Sequence, residues 1–185
     1  MEINNIGGDA PIVIEAAHLK KYYPASGKGL FQKDKKYLHA LDDVSLTIRK
    51  GEIFGVVGES GCGKSTLGRC VLRLVDVTDG NITFEGTDIT HMRHSELKPF
   101  RRNMQMIFQN PYSSFNPKQR IGKALMEVGQ VHGMSREQAM AEIEKLLQYI
   151  SLPKDVLDRI PEELSGGQLQ RLAIARALLL NPSFI

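Results

Sequence analysis

The chain has no tryptophan, only two cysteines, and aromatic side chains at 6% of its 185 residues. Cys62 and Cys70 stand eight positions apart with no histidine pair beside them. That spacing excludes a disulfide framework and a zinc-ligand pattern, and leaves two free thiols. No apolar stretch approaches the roughly 18–20 residues that span a bilayer. The longest runs, 53–57 and 172–180, are broken by glycine or arginine. The first residues combine no basic start with an apolar run, so they do not read as a signal peptide, and a cytoplasmic protein is expected. Charge of one sign is also scarce: the formal net charge is +3. Such mild basicity suits a phosphate ligand or an anionic surface but decides between neither. There is no excess of proline, glycine or serine, which argues against wholesale disorder. With 42% hydrophobic residues the chain is long enough for one domain with a real core.

The pattern along the chain divides it. Residues 1–10 read as a flexible tail, and 11–17 as a β-like apolar run. Residues 26–36 are polar, basic and glycine-containing, which predicts a loop between strands. Alternation of Leu41, Val44, Leu46 and Ile48 predicts a strand over 38–49, and 52–57 is a short apolar run of the buried parallel type. A glycine-rich loop over 58–63 leads into helical spacing over 64–75. Asp79-Gly80 predicts a turn, 81–85 a short strand and 104–108 a further apolar strand. Two Asn-Pro dipeptides make 110–117 a loop. From residue 122 the spacing turns helical, over 122–132, 135–150, 156–159 and 166–180, with Ser135 and Gln138 placed as a capping box. An α/β part is followed by a helical part.

Gly58-Glu-Ser-Gly-Cys-Gly-Lys-Ser65 fits the phosphate-loop pattern G-x-x-x-x-G-K-[ST], between a predicted buried strand and a predicted helix. Glycine lets successive backbone N–H groups curl around an anion, so Gly58, Glu59, Ser60, Gly61, Cys62 and Gly63 form the cradle. The helix that follows points its positive end at the phosphates. Lys64 supplies a point charge for the β- and γ-phosphates, Ser65 a hydroxyl oxygen for Mg²⁺, and Thr66 an α-phosphate contact. ATP with Mg²⁺ is the expected ligand.

A second motif narrows the class. In Leu164-Ser-Gly-Gly-Gln-Leu-Gln-Arg171, Ser165, Gly166, Gly167 and Gln168 open a helix that runs towards Asn181-Pro182, which makes a second anion cradle. One chain does not easily wrap both cradles around one nucleotide. The motif and its helix resemble the signature of ABC transporter ATPases. That resemblance implies a head-to-tail pair in which the signature of one subunit covers the γ-phosphate held by the other, with two ATP molecules between them. It further implies that Gln109, after the strand in Ile107-Phe-Gln-Asn-Pro111, is the Q-loop glutamine, touching Mg²⁺ or the attacking water. In Leu19-Lys-Lys-Tyr-Tyr23, it implies that Tyr23 rather than Tyr22 stacks on adenine.

Within the family the chain is most similar to the ATPases of oligopeptide and dipeptide importers, and to their F-type subunit. The residues that carry this are Leu41-Asp-Asp-Val-Ser-Leu46, Ser65-Thr-Leu-Gly-Arg69, the double Asn-Pro segment Met106-Ile-Phe-Gln-Asn-Pro-Tyr-Ser-Ser-Phe-Asn-Pro117, and the basic insertion before Leu38. The resemblance implies a P-loop α/β core with a β-rich N-terminal subdomain and a helical insert at about 118–165. It implies two transmembrane permease subunits as partners, an extracellular peptide-binding protein acting through them, no nucleic acid, and a peripheral place on the cytoplasmic face of the membrane. The segment 110–120 and its following helix are the expected transducing surface. Related importers carry nickel or glutathione. Soluble ABC ATPases that act on DNA or ribosomes share the signature, but those acting on DNA place a long coiled coil between the Q-loop and the signature, and no sustained heptads lie here. The chain departs from the family pattern at its end. Asn181-Pro-Ser-Phe-Ile185 stands where the Walker B strand is expected to begin, and the aspartate, glutamate and histidine that follow in the family are not in the sequence. Residues 11–185 therefore read as a partial nucleotide-binding domain, expected to hydrolyse ATP poorly alone.

Overall fold

The computed structural model describes residues 9–24 and 37–185. The expected loop at 26–36, with its basic insertion, and residues 1–8 of the expected tail lie outside the described residues. The chain forms two compact units, Met1–Leu97 and Lys98–Ile185.

The first unit is built on an antiparallel sheet. Strands β1 (Ile12–Pro24), β2 (Tyr37–Arg49), β3 (Asp79–Phe84) and β4 (Thr87–Asp88) lie in the order β2-β1-β3-β4. Side chains alternate across a strand, so Leu46 and Ile48 of β2 and Ile82 and Phe84 of β3 fall on one buried face. Helix α1 (Lys64–Val71) buries Leu67, Cys70 and Val71, the i, i+3, i+4 stripe that seats a helix on apolar neighbours. Burial also pushes the Cys70 thiol above its ordinary pKa. Past the helix, Arg73 at φ 51° is buried; it donates to the Ile89 carbonyl at 2.9 Å and to Asp76 at 2.6 Å.

Several expected elements differ. The first strand runs on to Pro24 because Leu38 and His39 of β2 pair with Tyr23 and Tyr22. Asp79-Gly80 is the start of β3 and not a turn. Gly80 has φ +88°, and an added Cβ would stand 2.6 Å from the Ala17 carbonyl oxygen, a close approach that only glycine permits. The apolar run 52–57 forms no strand: Ile53 is fully exposed and Val57 nearly so. A parallel strand is buried by neighbours on both edges, and among the described residues no ladder pairs with this one. Helix α2 (His94–Arg101) carries no apolar periodicity that the sequence could announce, since only Leu97 is buried.

The second unit is helical. Its core gathers Phe115, Ile121, Leu125, Ile143, Leu147, Val156, Leu164, Leu169 and Leu172. Helices α3 (Ile121–Val131), α4 (Arg136–Tyr149) and α5 (Gly166–Leu178) fall close to the predicted helices. The capping box at Ser135 forms: the serine Oγ accepts from Gln138 N at 3.2 Å, and Gln138 Oε1 accepts from Ser135 N at 2.9 Å. The short helix expected at 156–159 is a 3₁₀ turn at Lys154–Asp158. Prolines 153 and 161 bound it, so the segment stays short, the length at which 3₁₀ turns are common. The strand expected at 104–108 reduces to one parallel bridge, Met104 to Phe184, with Gln105 N donating to Phe184 O at 3.0 Å. Among the described residues no helix is long and apolar enough to cross a membrane.

Two glycines inside helices have opposite surroundings. An added Cβ at Gly129 would stand 2.8 Å from the Ala139 Cβ where α3 meets α4, whereas one at Gly68 in α1 meets nothing within 4 Å. Gly129→Val is expected to cost about 1–3 kcal/mol through overpacking. Gly68→Ala is expected to stabilise by up to about 1 kcal/mol through helix propensity. Urea unfolding followed by circular dichroism checks both; equal midpoints would contradict the packing at Gly129.

Candidate functional site

In the first unit the phosphate loop closes on its own lysine. Lys64 Nζ donates to the Gly58 carbonyl at 2.6 Å and to the Glu59 carbonyl at 2.5 Å, and lies 3.5 Å from Cys62 Sγ. The ammonium thus sits inside a ring of backbone with no carboxylate bonded to it. Gly61 and Gly63 take φ +85° and +97°, which turns the chain back over α1. Gly63 is the N-cap of α1, no side chain caps the helix, and its first turn holds no acidic residue. The orphan N–H groups of that turn and the helix dipole therefore face the loop without an internal anion. A Cβ on Gly63 would collide with the Ala40 carbonyl oxygen of β2, so the loop is pressed against the strand. Ser60 and Ser65 are exposed and Thr66 is half-buried, in the first turn of the helix.

The two tyrosines of β1 differ. Tyr22 is already engaged: its ring stacks on His39 at 4.0 Å between centroids, and its hydroxyl donates to Asp42 at 2.5 Å. That bond holds the Asp42 carboxyl below its usual range. Among the described residues Tyr23 has no such partners; the Lys21 ammonium lies 5.0 Å from its ring centroid.

In the second unit Gln109 and the start of α5 come together. Gln109, Asn110, Pro111, Tyr112, Gly166 and Gln170 line one open cavity of about 560 Å³. Ser165 is the N-cap of α5 and shares a capping box with Gln168. Gly166 and Gly167 are exposed, and an added Cβ at either would meet nothing within 4 Å, so the space over this helix start is open. Two arginines of α5 hold backbone elsewhere. Arg171 donates to the Ile150 carbonyl at 2.8 Å, and Arg176 donates to the Ser114 carbonyl with its guanidinium 5.8 Å from the Phe115 ring centroid. Burial pulls the Arg176 pKa down. Neither arginine, nor Gln170, stands out in the sequence: an arginine on a helix announces a charge and not the carbonyl it will meet 62 residues away.

In the first unit Ser65 is exposed and offers a hydroxyl, an oxygen donor of the kind a hard cation such as Mg²⁺ accepts beside phosphate oxygens and water; in the second unit Gln109 is exposed too. Among the described residues no group of three or more His, Cys, Asp and Glu is gathered to hold a metal by itself.

The structure is that of an ATP-binding cassette. It matches the dimeric cassette MJ0796 with a TM-score of 0.79 at 28% identity, over 91% of this chain and 70% of that one. A post-hydrolysis state of the same cassette, bound to ADP and Pi, matches with a TM-score of 0.78. The family model for the ABC transporter matches residues 41–185, and the chain belongs to that family. It is 46% identical to a probable peptide ABC transporter ATP-binding protein of Sinorhizobium fredii, over 96% of this chain and 50% of that protein. It is 43% identical to the oligopeptide transport ATP-binding protein AppF of Bacillus subtilis, over 94% of this chain and 53% of that one. The chain thus spans about half the length of these curated relatives.

Cys62 is exposed on the loop beside Lys64, whereas Cys70 is fully buried. A maleimide is expected to label Cys62 at least tenfold faster than Cys70, because the thiolate must be reachable to react. Mg-ATP is expected to slow the Cys62 reaction severalfold. Mass spectrometry of the labelled peptides checks this, and equal labelling with and without nucleotide would place the anion elsewhere.

Proposed function

We propose that this chain carries the ATP-binding function of an ABC importer subunit, which couples ATP binding and hydrolysis to the uptake of oligopeptides or dipeptides. The observation that carries the ATP part is the Lys64 ammonium, bonded to the Gly58 and Glu59 carbonyls over an uncapped helix start. The cargo part is supported by the names of the relatives, which are peptide or oligopeptide transport ATP-binding proteins. The resemblance to nickel and glutathione importers and to soluble ABC ATPases has no such support.

Lys64 exchanges its two carbonyl partners for β- and γ-phosphate oxygens, while N–H groups from Gly61 to Thr66 close around the same anion. This exchange costs little, because one set of acceptors replaces another and the ammonium is never left unpaired. Tyr23, rather than the engaged Tyr22, offers its ring to adenine. Ser65 and Gln109 supply oxygens to Mg²⁺, whose charge offsets that of the phosphates. Ser165, Gly166 and Gly167 cover the γ-phosphate held by a second, homologous ATPase subunit, in a head-to-tail pair. Closure of that pair moves two permease subunits docked near residues 110–120, on the cytoplasmic face of the membrane. An extracellular peptide-binding protein delivers the cargo. In domain terms, residues 11–185 belong to the cassette, with a helical subdomain at about 118–165.

No Asp or Glu follows Glu163 in the 185 residues. A polypeptide of these residues alone is expected to bind ATP but turn it over slowly, since activating the attacking water takes a general base and these residues offer no carboxylate after the signature helix. Titration with Mg-ATP, alongside circular dichroism, tests the reading. Lys64→Ala is expected to weaken binding by at least tenfold with the fold intact. Unchanged affinity in the folded variant would overturn the phosphate-loop assignment, and turnover by the 185-residue polypeptide at the rate of a full-length relative would overturn the missing-base argument.

A further inference from the structure

The resemblance groups Gln168 with the residues that touch nucleotide, but its side-chain oxygen is already committed. Gln168 Oε1 accepts from Ser165 N at 2.9 Å, and Gln168 N donates to Ser165 Oγ at 3.3 Å. The same exchange opens α4, where Gln138 Oε1 accepts from Ser135 N at 2.9 Å and Ser135 Oγ from Gln138 N at 3.2 Å. Two further starts use a carboxylate for the first of these bonds: Glu96 accepts from Arg93 N at 2.7 Å and Glu163 from Ile160 N at 2.9 Å. None of those three segments carries a ligand motif. The bond is a helix-start device that recurs along this chain, and glutamine and glutamate serve it alike.

We propose that Gln168 is a positioning residue: it fixes Ser165 at the head of α5 and acts on nucleotide only through that serine. The bond to Ser165 N holds the residue at φ −67°, ψ 154°, which sets its hydroxyl over the first turn. The hydroxyl oxygen accepts from Gln168 N, so its proton remains free to donate to an anion. The N–H groups of Gly166 and Gly167 precede the first intrahelical bond and have no partner within the helix. Gln168 therefore builds a cradle of one hydroxyl and two amides without entering it. Without the cap, Ser165 samples other rotamers and backbone states, and the cradle is present only part of the time. The second half of this proposal rests on the reading of Ser165–Gln168 as an anion cradle; the first half does not.

Two measurements on the whole chain test it. The first is amide hydrogen exchange at Ser165, by NMR, without nucleotide. Gln168→Met is expected to speed exchange about five- to tenfold, the size of a lost cap, while Gln168→Glu restores protection. Gln138→Met, as a matched control, is expected to do the same at Ser135. Unchanged exchange at Ser165 in Gln168→Met would overturn the cap. The second is a double-mutant cycle of Ser165→Ala and Gln168→Met on self-association driven by Mg-ATP, by analytical ultracentrifugation. A residue that acts only through Ser165 adds nothing once the hydroxyl is gone, so the double variant is expected to match Ser165→Ala within about twofold. Additive losses would show that Gln168 meets the nucleotide itself and would overturn the proposal. So would a loss in Gln168→Met when Ser165→Ala has none. If neither variant changes association, the anion-cradle reading of the signature fails, and Gln168 stands as a helix cap by the exchange data alone.

Discussion

The phosphate loop can lie where it does because Gly63 has no side chain. At φ +97° it caps α1 and presses against the Ala40 carbonyl of β2, where any Cβ would collide. That contact sets the helix start over the sheet, and with it the direction of the uncapped N–H groups. Lys64 then folds back onto the Gly58 and Glu59 carbonyls. The loop thus carries a cation and keeps it satisfied by its own backbone. A buried or half-buried ammonium without acceptors would be costly; here the loop supplies the acceptors.

The second unit solves a related problem by another route. Its two longest helices, α4 and α5, begin sharply, each with a serine N-cap and a glutamine three places on. At α4 the device only starts a helix, whereas at α5 it leaves two glycine amides facing open space beside Gln109. Arg171 and Arg176 tie α5 to the end of α4 and to the segment after Gln109 through backbone carbonyls. Arg176 thus joins the segment after Gln109 to the helix that begins at Ser165.

Much of this was legible in residue types. The G-x-x-x-x-G-K-S loop, the Ser-Gly-Gly-Gln helix start and the capping box at Ser135 are local: each depends on residues within a few positions, so spacing alone locates it. The helices of the second unit were legible for the same reason. Asp79-Gly80 misled, because the dipeptide that marks a turn also marks a glycine forced by close approach, here to Ala17 and His18. The apolar run 52–57 misled as well: its composition announces burial between strands, but pairing is a property of neighbours, and none pairs with it among the described residues.

Residue types alone set the chemistry on offer: an anion loop with its lysine, a second helix start of serine and glycine, and a resemblance to a family in which both motifs serve ATP. Folding settled which of those groups are engaged. It engaged Tyr22 with His39 and Asp42, set the Lys21 ammonium near the Tyr23 ring, and gathered Gln109 with Gly166 around one cavity. The physical reason is range. Covalent spacing sets which groups are near one another along the chain, but a hydrogen bond or a stacked ring is settled by whatever distant backbone the fold brings within about 3–4 Å.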